Sequence, residues 1–158
     1  MPQEGQQKLW PSVITDLVSL PQCTPDPELK KTYIRFIVKT LQMFDEEVVE
    51  RYQTKSVAEM QLSAAIKDWM RIEQIPQIVT LLAQVLDSHA MFERKTVKGT
   101  LKVLATLIDW NEIPLFDSCR VKIREFLRVP HLRAGAFQCL GALVGKGMPE
   151  LDKLNCIQ

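Results

Sequence analysis

Apolar residues along this 158-residue chain recur at intervals of three or four and almost nowhere at every second position. That is the spacing of helices burying one face, so the fold class expected is all-α. The breaks between apolar runs carry Pro, Asp, Ser or Gly. A first helix is predicted over Gln7 to Leu20, with Pro11 at a kink or in its first turn. Thr24-Pro25-Asp26-Pro27 closes it and opens the next, since Asp26 can cap and Pro27 suits the first helical position. From Glu28 to Phe44, the residues Leu29, Tyr33, Phe36, Ile37, Leu41 and Phe44 form the expected apolar face. Ser56-Val57-Ala58-Glu59 is a capping box, a hydroxyl and a carboxylate satisfying reciprocal backbone N–H groups, and it opens a helix to about Glu73. Ile75-Pro76 restarts a helix through Leu86 with Ile78, Leu81, Leu82, Val85 and Leu86 inward. Glu93 to Trp110 follows with Val97, Leu101, Leu104, Ala105 and Ile108 inward. Arg120 to Arg128, Leu132 to Val144 (stopped by Gly147) and Glu150 to Cys156 complete the set.

A period runs through these segments. Ile75-Pro76 and Ile113-Pro114 lie 38 residues apart, Pro114 and Pro149 lie 35 apart, and Trp69 and Trp110 lie 41 apart. Short helices at roughly 35–45-residue spacing are the mark of HEAT or armadillo-like α-solenoids built of antiparallel helix pairs. About three or four such repeats fit the length. A globular bundle is the alternative, but short helices without a long crossover favour stacking.

Composition narrows the function classes. Hydrophobic residues make up 46% and charged residues 25%, with a net charge of +1, which is ordinary for a globular domain. The charge is uneven, with 9 basic and 12 acidic residues over 1–90 against 11 and 7 over 91–158. No run of 18 apolar residues is present, so no membrane partner is expected, and Met1-Pro2-Gln3-Glu4-Gly5 does not read as a secretory leader. Cys23, Cys119, Cys139 and Cys156 are too scattered for a zinc site and read as reduced, buried thiols. No phosphate loop, nucleophile elbow, His-Glu-x-x-His or EF-hand pattern occurs. Asp45-Glu46-Glu47 with Glu50 reads as a solvated helix end paired to Arg51 and Lys55 rather than a cation site. The chain is expected to be no enzyme, with no catalytic residue, no metal and no cofactor.

Basic residues repeating along single helix faces are the one functional signal. Lys31, Arg35 and Lys39 follow i, i+4, i+8, roughly opposite the apolar face. Arg120, Arg124 and Arg128 repeat that spacing, and Lys95, Lys98 and Lys102 form a third line. Like charges at i, i+4 weaken an isolated helix by a few tenths of a kcal/mol. Stripes without interleaved acids therefore invite an anionic partner, unless acids of neighbouring repeats neutralise them or they are simply soluble surface.

The segment Ile66-Lys67-Asp68-Trp69-Met70-Arg71 followed by Ile75-Pro76 resembles exportin-T, the tRNA-exportin family of karyopherins. Ile108-Asp109, Leu132-Arg133-Ala134-Gly135-Ala136 and Gly145-Lys146-Gly147-Met148-Pro149 leading to Asp152-Lys153 match in the same order. Asp45-Glu46-Glu47-Val48-Val49 resembles the family's acidic link between repeats. The resemblance runs from about Trp10 to Leu154. Two departures are visible: Trp110 follows Ile108-Asp109 where the family tends to place Trp before it, and the 94–110 helix is richer in lysine. The resemblance implies that residues 1–158 are one HEAT-repeat segment from the N-terminal half of a longer nuclear export receptor. Such a receptor binds tRNA with Ran in its GTP form, passes nuclear pore proteins and shuttles between nucleus and cytoplasm, reading RNA shape through phosphates and 2′-hydroxyls. A HEAT scaffold that binds acidic protein and no RNA is the alternative. In such solenoids the second helix of each pair lines the concave side. Pairing by sequence makes the 28–44 and 119–128 helices second helices and turns the 94–110 helix outward. Lys31, Arg35, Lys39, Arg120, Arg124 and Arg128 are then the candidate contacts to RNA or an acidic partner.

Overall fold

The computed structural model describes residues 12–48, 55–147 and 149–157. Among them the chain forms α1 (Val13–Ser19), α2 (Pro27–Val48), α3 (Val57–Glu73), α4 (Ile75–Asp87), α5 (Arg94–Trp110), α6 (Asp117–Phe126), α7 (Arg133–Gly145) and α8 (Glu150–Ile157), with short 3-10 turns at His89–Met91 and Ile113–Phe116 and no strand. None of these helices is long and apolar enough to cross a membrane. The residues Gln7 to Pro11 of the predicted first helix, and Glu50 and Arg51 of the acidic link, lie outside the described residues. The Ser56 capping box forms as read: Ser56 N–H donates to Glu59 Oε2 at 2.7 Å and Glu59 N–H to Ser56 Oγ at 3.3 Å. The Ser56 hydroxyl, donating to Glu59 Oε2 at 2.7 Å, and then the Ser56 N–H hold the Glu59 carboxyl below its ordinary pKa.

The helices stack in two layers, the all-α arrangement of HEAT-like antiparallel pairs expected from the sequence. α5 packs most extensively on α7 and then on α2, so α2, α5 and α7 form one layer. α1, α4 and α6 form the other, with α4 also against α3 and α5. Successive pairs are formed by α3–α4 with α5 and by α6 with α7, with α1 against α4, α2 against α5 and α8 against α7.

This pairing overturns the one read from sequence, and the cause is Gln74. That residue stays in the right-handed helical region (φ −92°, ψ −43°), its N–H donating to Met70 O and its carbonyl accepting from Ile78 N–H, each at 3.0 Å. The chain therefore bends at Ile75-Pro76 without reversing, because proline removes one backbone donor but a single αR residue cannot turn a helix back. α3 and α4 are one kinked first helix rather than a pair. Every later assignment shifts by one: α5 is a second helix sharing the layer of α2, and α6 is a first helix in the opposite layer. Gln74 is buried, and Thr15 Oγ1 of α1 donates to its Oε1 at 3.0 Å.

The core follows the predicted faces in α4 and α5. Ile75, Ile78, Leu82, Val85, Leu86, Leu101, Leu104 and Ile108 are fully buried. In α2 the face is rotated. Ile34, Ile37, Val38 and Leu41 are buried, whereas Leu29 and Phe36, read as core, are 41% and 57% exposed. Cys119 and Cys139 are buried thiols as expected, but Cys23 is exposed. Burial pushes Cys119 up to about 11 and Cys139 up to about 12.

Two glycines set how closely the α2–α5–α7 layer packs. A Cβ on Gly99 would stand 3.0 Å from Val38 Cγ1, and one on Gly135 would stand 2.9 Å from Leu101 Cβ. The end of α5 is held by side chains from α3, in its own pair, and from the end of α7, in the next. Lys146 Nζ donates to the carbonyls of Ile108 (2.7 Å), Asp109 (3.2 Å) and Asn111, and Arg71 Nη2 to that of Trp110 (2.9 Å). Asn111 Nδ2 takes the Leu107 carbonyl at 2.8 Å. Five successive carbonyls that a helix end leaves orphaned are thus satisfied, four of them by cations at the negative end of the dipole. Burial holds Lys146 below its ordinary pKa, with nearby Asp109 opposing that shift.

Two outcomes follow. Gly135→Ala gains at most about 1 kcal/mol of helix propensity but overpacks at about 1–3 kcal/mol, so calorimetry should show a lower Tm. Gly141→Ala, whose Cβ would meet nothing within 4 Å, should raise it. Lys146→Met keeps the stem and orphans three carbonyls. It should cost about 1–3 kcal/mol, read as a lower urea midpoint at unchanged m-value.

Candidate anion-binding groove

Because Gly99 brings α5 close to α2 at one level, the two helices leave an open groove of about 730 Å³ beside that contact. Five cations line it: Arg35 and Lys39 from α2, and Lys95, Lys98 and Lys102 from α5. A smaller recess of about 230 Å³ continues it past Arg35 to Lys31 and Met91. The α2 stripe read from sequence and the lysine line expected to face away from it therefore belong to one site.

The charge in this groove works against the helix that carries it. α5 begins Arg94-Lys95 with no acid in its first turn, and Glu93 at its N-cap makes no side-chain capping bond. Cations at the positive end of a helix dipole are unfavourable by about 0.3–1 kcal/mol each at low salt, and Lys98 and Lys102 add an i, i+4 repulsion. Local charge choices that oppose the fold mark positions kept for another purpose.

Carboxylates offset part of it. Lys31 pairs with Glu28 at 2.8 Å, Arg35 with Glu93 at 3.3 Å and Lys102 with Glu46 at 3.5 Å. Lys39, Lys95 and Lys98 have no carboxylate partner among the described residues. Exposed pairs of this kind are worth about 0–1 kcal/mol, so an incoming polyanion can displace them.

The second predicted stripe lies elsewhere. Arg120 and Arg124 are on α6, in the opposite layer, and Arg128 follows the end of that helix on the turn to α7. The i, i+4, i+8 line therefore stops after two members. Arg120 pairs with Asp117 at 3.4 Å. Lys122 and Glu125 pair at 2.8 Å, a hydrogen bond that raises the lysine pKa and lowers that of the glutamate. Sequence reasoning noted the α5 lysines but turned them outward. It missed Phe36 as a groove residue, since a 3.6-residue period cannot separate the edge of an apolar face from its centre. Among the described residues no three His, Cys, Asp or Glu side chains are grouped as metal ligands.

The family model described as Exportin 1-like protein matches residues 4–140. The chain belongs to this family. Its similarity to Exportin-T of Danio rerio is 27% identity over 95% of this chain and 15% of that protein. For Exportin-T of Homo sapiens the figures are 24%, 94% and 15%, and for that of Dictyostelium discoideum 29%, 79% and 12%. The chain thus spans about one seventh of the length of the exportins it matches. The family's helical-repeat architecture agrees with the two-layer stack described above.

His131, on the turn before α7, reports the potential beside the groove. Partial desolvation, then Arg94 and Lys98, hold it below its ordinary 6.5. A base depressed in the folded state takes its proton more readily when unfolded, so stability should fall as pH drops through 6.5 towards the folded value. NMR titration should find His131 below 6.5 in the free chain and shifted upward when a polyanion screens Lys98.

Proposed function

We propose that this chain is a segment of a nuclear export receptor that binds tRNA together with Ran in its GTP form. The receptor carries that cargo through the nuclear pore past pore proteins, shuttling between nucleus and cytoplasm. The segment acts by binding and not by catalysis. The observation that carries the reading is the groove between α2 and α5: five cations converge on one open channel in a chain of the exportin 1-like family. Lys31, Arg35 and Lys39 keep the role expected for them, and Lys95, Lys98 and Lys102 join them. RNA offers closely spaced phosphates, and cations held on rigid helices neutralise them without reading bases.

The second reading, a scaffold for acidic protein, suits the α6 side better. There Arg120 is already held by Asp117, and Arg124 and Arg128 are not among the residues lining the α2–α5 groove.

The test uses a full-length receptor carrying this segment, with Ran and GTP present. Lys39, Lys95 and Lys98 changed together to Gln should weaken tRNA binding and reduce the log–log salt slope by about 0.7–0.9 for each phosphate that the variant no longer neutralises. Arg120, Arg124 and Arg128 changed to Gln should have the smaller effect. Equal affinity and equal slope in the lysine variant would refute the reading.

A further inference from the structure

Phosphate contact alone does not account for the groove. Phe36 lines it at 57% exposure, between Arg35 and Lys39 in sequence and in the same cavity as Lys95 and Lys98. Met43, two helical turns further along α2 on the same face, is 58% exposed. A duplex backbone gives such side chains nothing to cover, and a surface evolved only for phosphates would place polar residues there. The lining is also mixed: Val38 and Gly99 are apolar, while the cations stand beside them. An aromatic ring sharing a groove with lysines that have no carboxylate partner among the described residues is the arrangement that holds single-stranded nucleic acid, phosphates on the cations and a base face on the ring.

We infer that the groove between α2 and α5 takes an unpaired stretch of RNA, with a base stacked on Phe36 and the flanking phosphates on Lys39, Lys95 and Lys98. This rests on the reading of the groove as RNA-facing and specifies which part of the RNA enters it. The choice of nucleic acid over an acidic peptide comes from the shape of the apolar element. Phe36 is 57% exposed on an open groove, whereas a peptide anchor needs an enclosed pocket. Base stacking tolerates any sequence, because every base has a π-face. The site therefore discriminates paired from unpaired RNA and does not select a sequence.

The experiment uses the 158-residue chain and labelled ligands at fixed low salt: a single-stranded RNA, a blunt duplex with the same number of phosphates, an abasic strand of equal length, a mononucleotide and polyglutamate. The single strand should bind most tightly, and the mononucleotide, with one phosphate, much more weakly. Phe36→Ala should lose about fivefold or more on the single strand while leaving the duplex and the abasic strand unchanged, and Phe36→Trp should restore the preference. Because Phe36 is exposed, the variants should keep the parent melting curve, which is measured alongside. An unchanged single-strand-to-duplex ratio in Phe36→Ala overturns the proposal. Polyglutamate binding with no RNA bound overturns it in favour of an acidic protein. If the full-length receptor still loses tRNA when Lys39, Lys95 and Lys98 are changed, but Phe36→Ala leaves the ratio untouched, only the unpaired-strand assignment fails. Absence of both effects refutes both readings.

Discussion

The close approach of α5 to its two layer neighbours is the constraint on which the other features depend. Gly99 and Gly135 let α2 and α7 approach from opposite sides, and neither position has room for a methyl group without a shift in its neighbour. Ile108, Leu104 and Leu101 are sealed against water by that approach. Burial of this kind supplies roughly 1.5–3 kcal/mol for each large apolar side chain, far more than the surface ion pairs around it. The groove lies at the same close approach, since Val38, Gln42 and Gly99 are among its lining residues. Its cations sit on rigid helices and not on loops, so their spacing is set by backbone and by packing.

The C-terminal end of α5 shows a second kind of coupling. Arg71 from α3 and Lys146 from the end of α7 reach the same run of carbonyls. Arg71 also stacks over the Trp110 ring, 5.4 Å from its centre. Segments that are far apart in sequence and carry the family resemblance (Lys67 to Arg71, Ile108-Asp109 and Gly145-Lys146-Gly147) therefore converge on one helix end. Lys146 ties the α6/α7 pair to the end of α5, and Arg71 ties α3 to α5 within one pair.

Much of the fold was legible in the sequence, and the errors have identifiable causes. The capping box at Ser56 and the cores of α4 and α5 are local, strong signals, and they hold. Pairing is not local. Ile75-Pro76 is equally compatible with a new helix after a reversal and with a bend, and only the backbone at Gln74 decides between them. That one residue determined whether the α5 lysines or the α6 arginines share a layer with α2. In the candidate site, the stripe Lys31, Arg35, Lys39 was readable because α2 is long and regular. Arg128 was misplaced because periodicity cannot tell that α6 ends at Phe126. The rotation of α2 hid Phe36 for the same reason: an apolar residue at the rim of a helix face looks the same in sequence as one at its centre.

The central claim is that α2 and α5 present a single anion-binding surface while α6 faces the other way. Lysine footprinting of the 158-residue chain, free and saturated with structured RNA, tests it in one measurement. The account predicts joint protection of Lys39, Lys95 and Lys98, with the reactivity of Lys122 unchanged. Protection of Lys122 with Lys95 and Lys98 left fully reactive would contradict it.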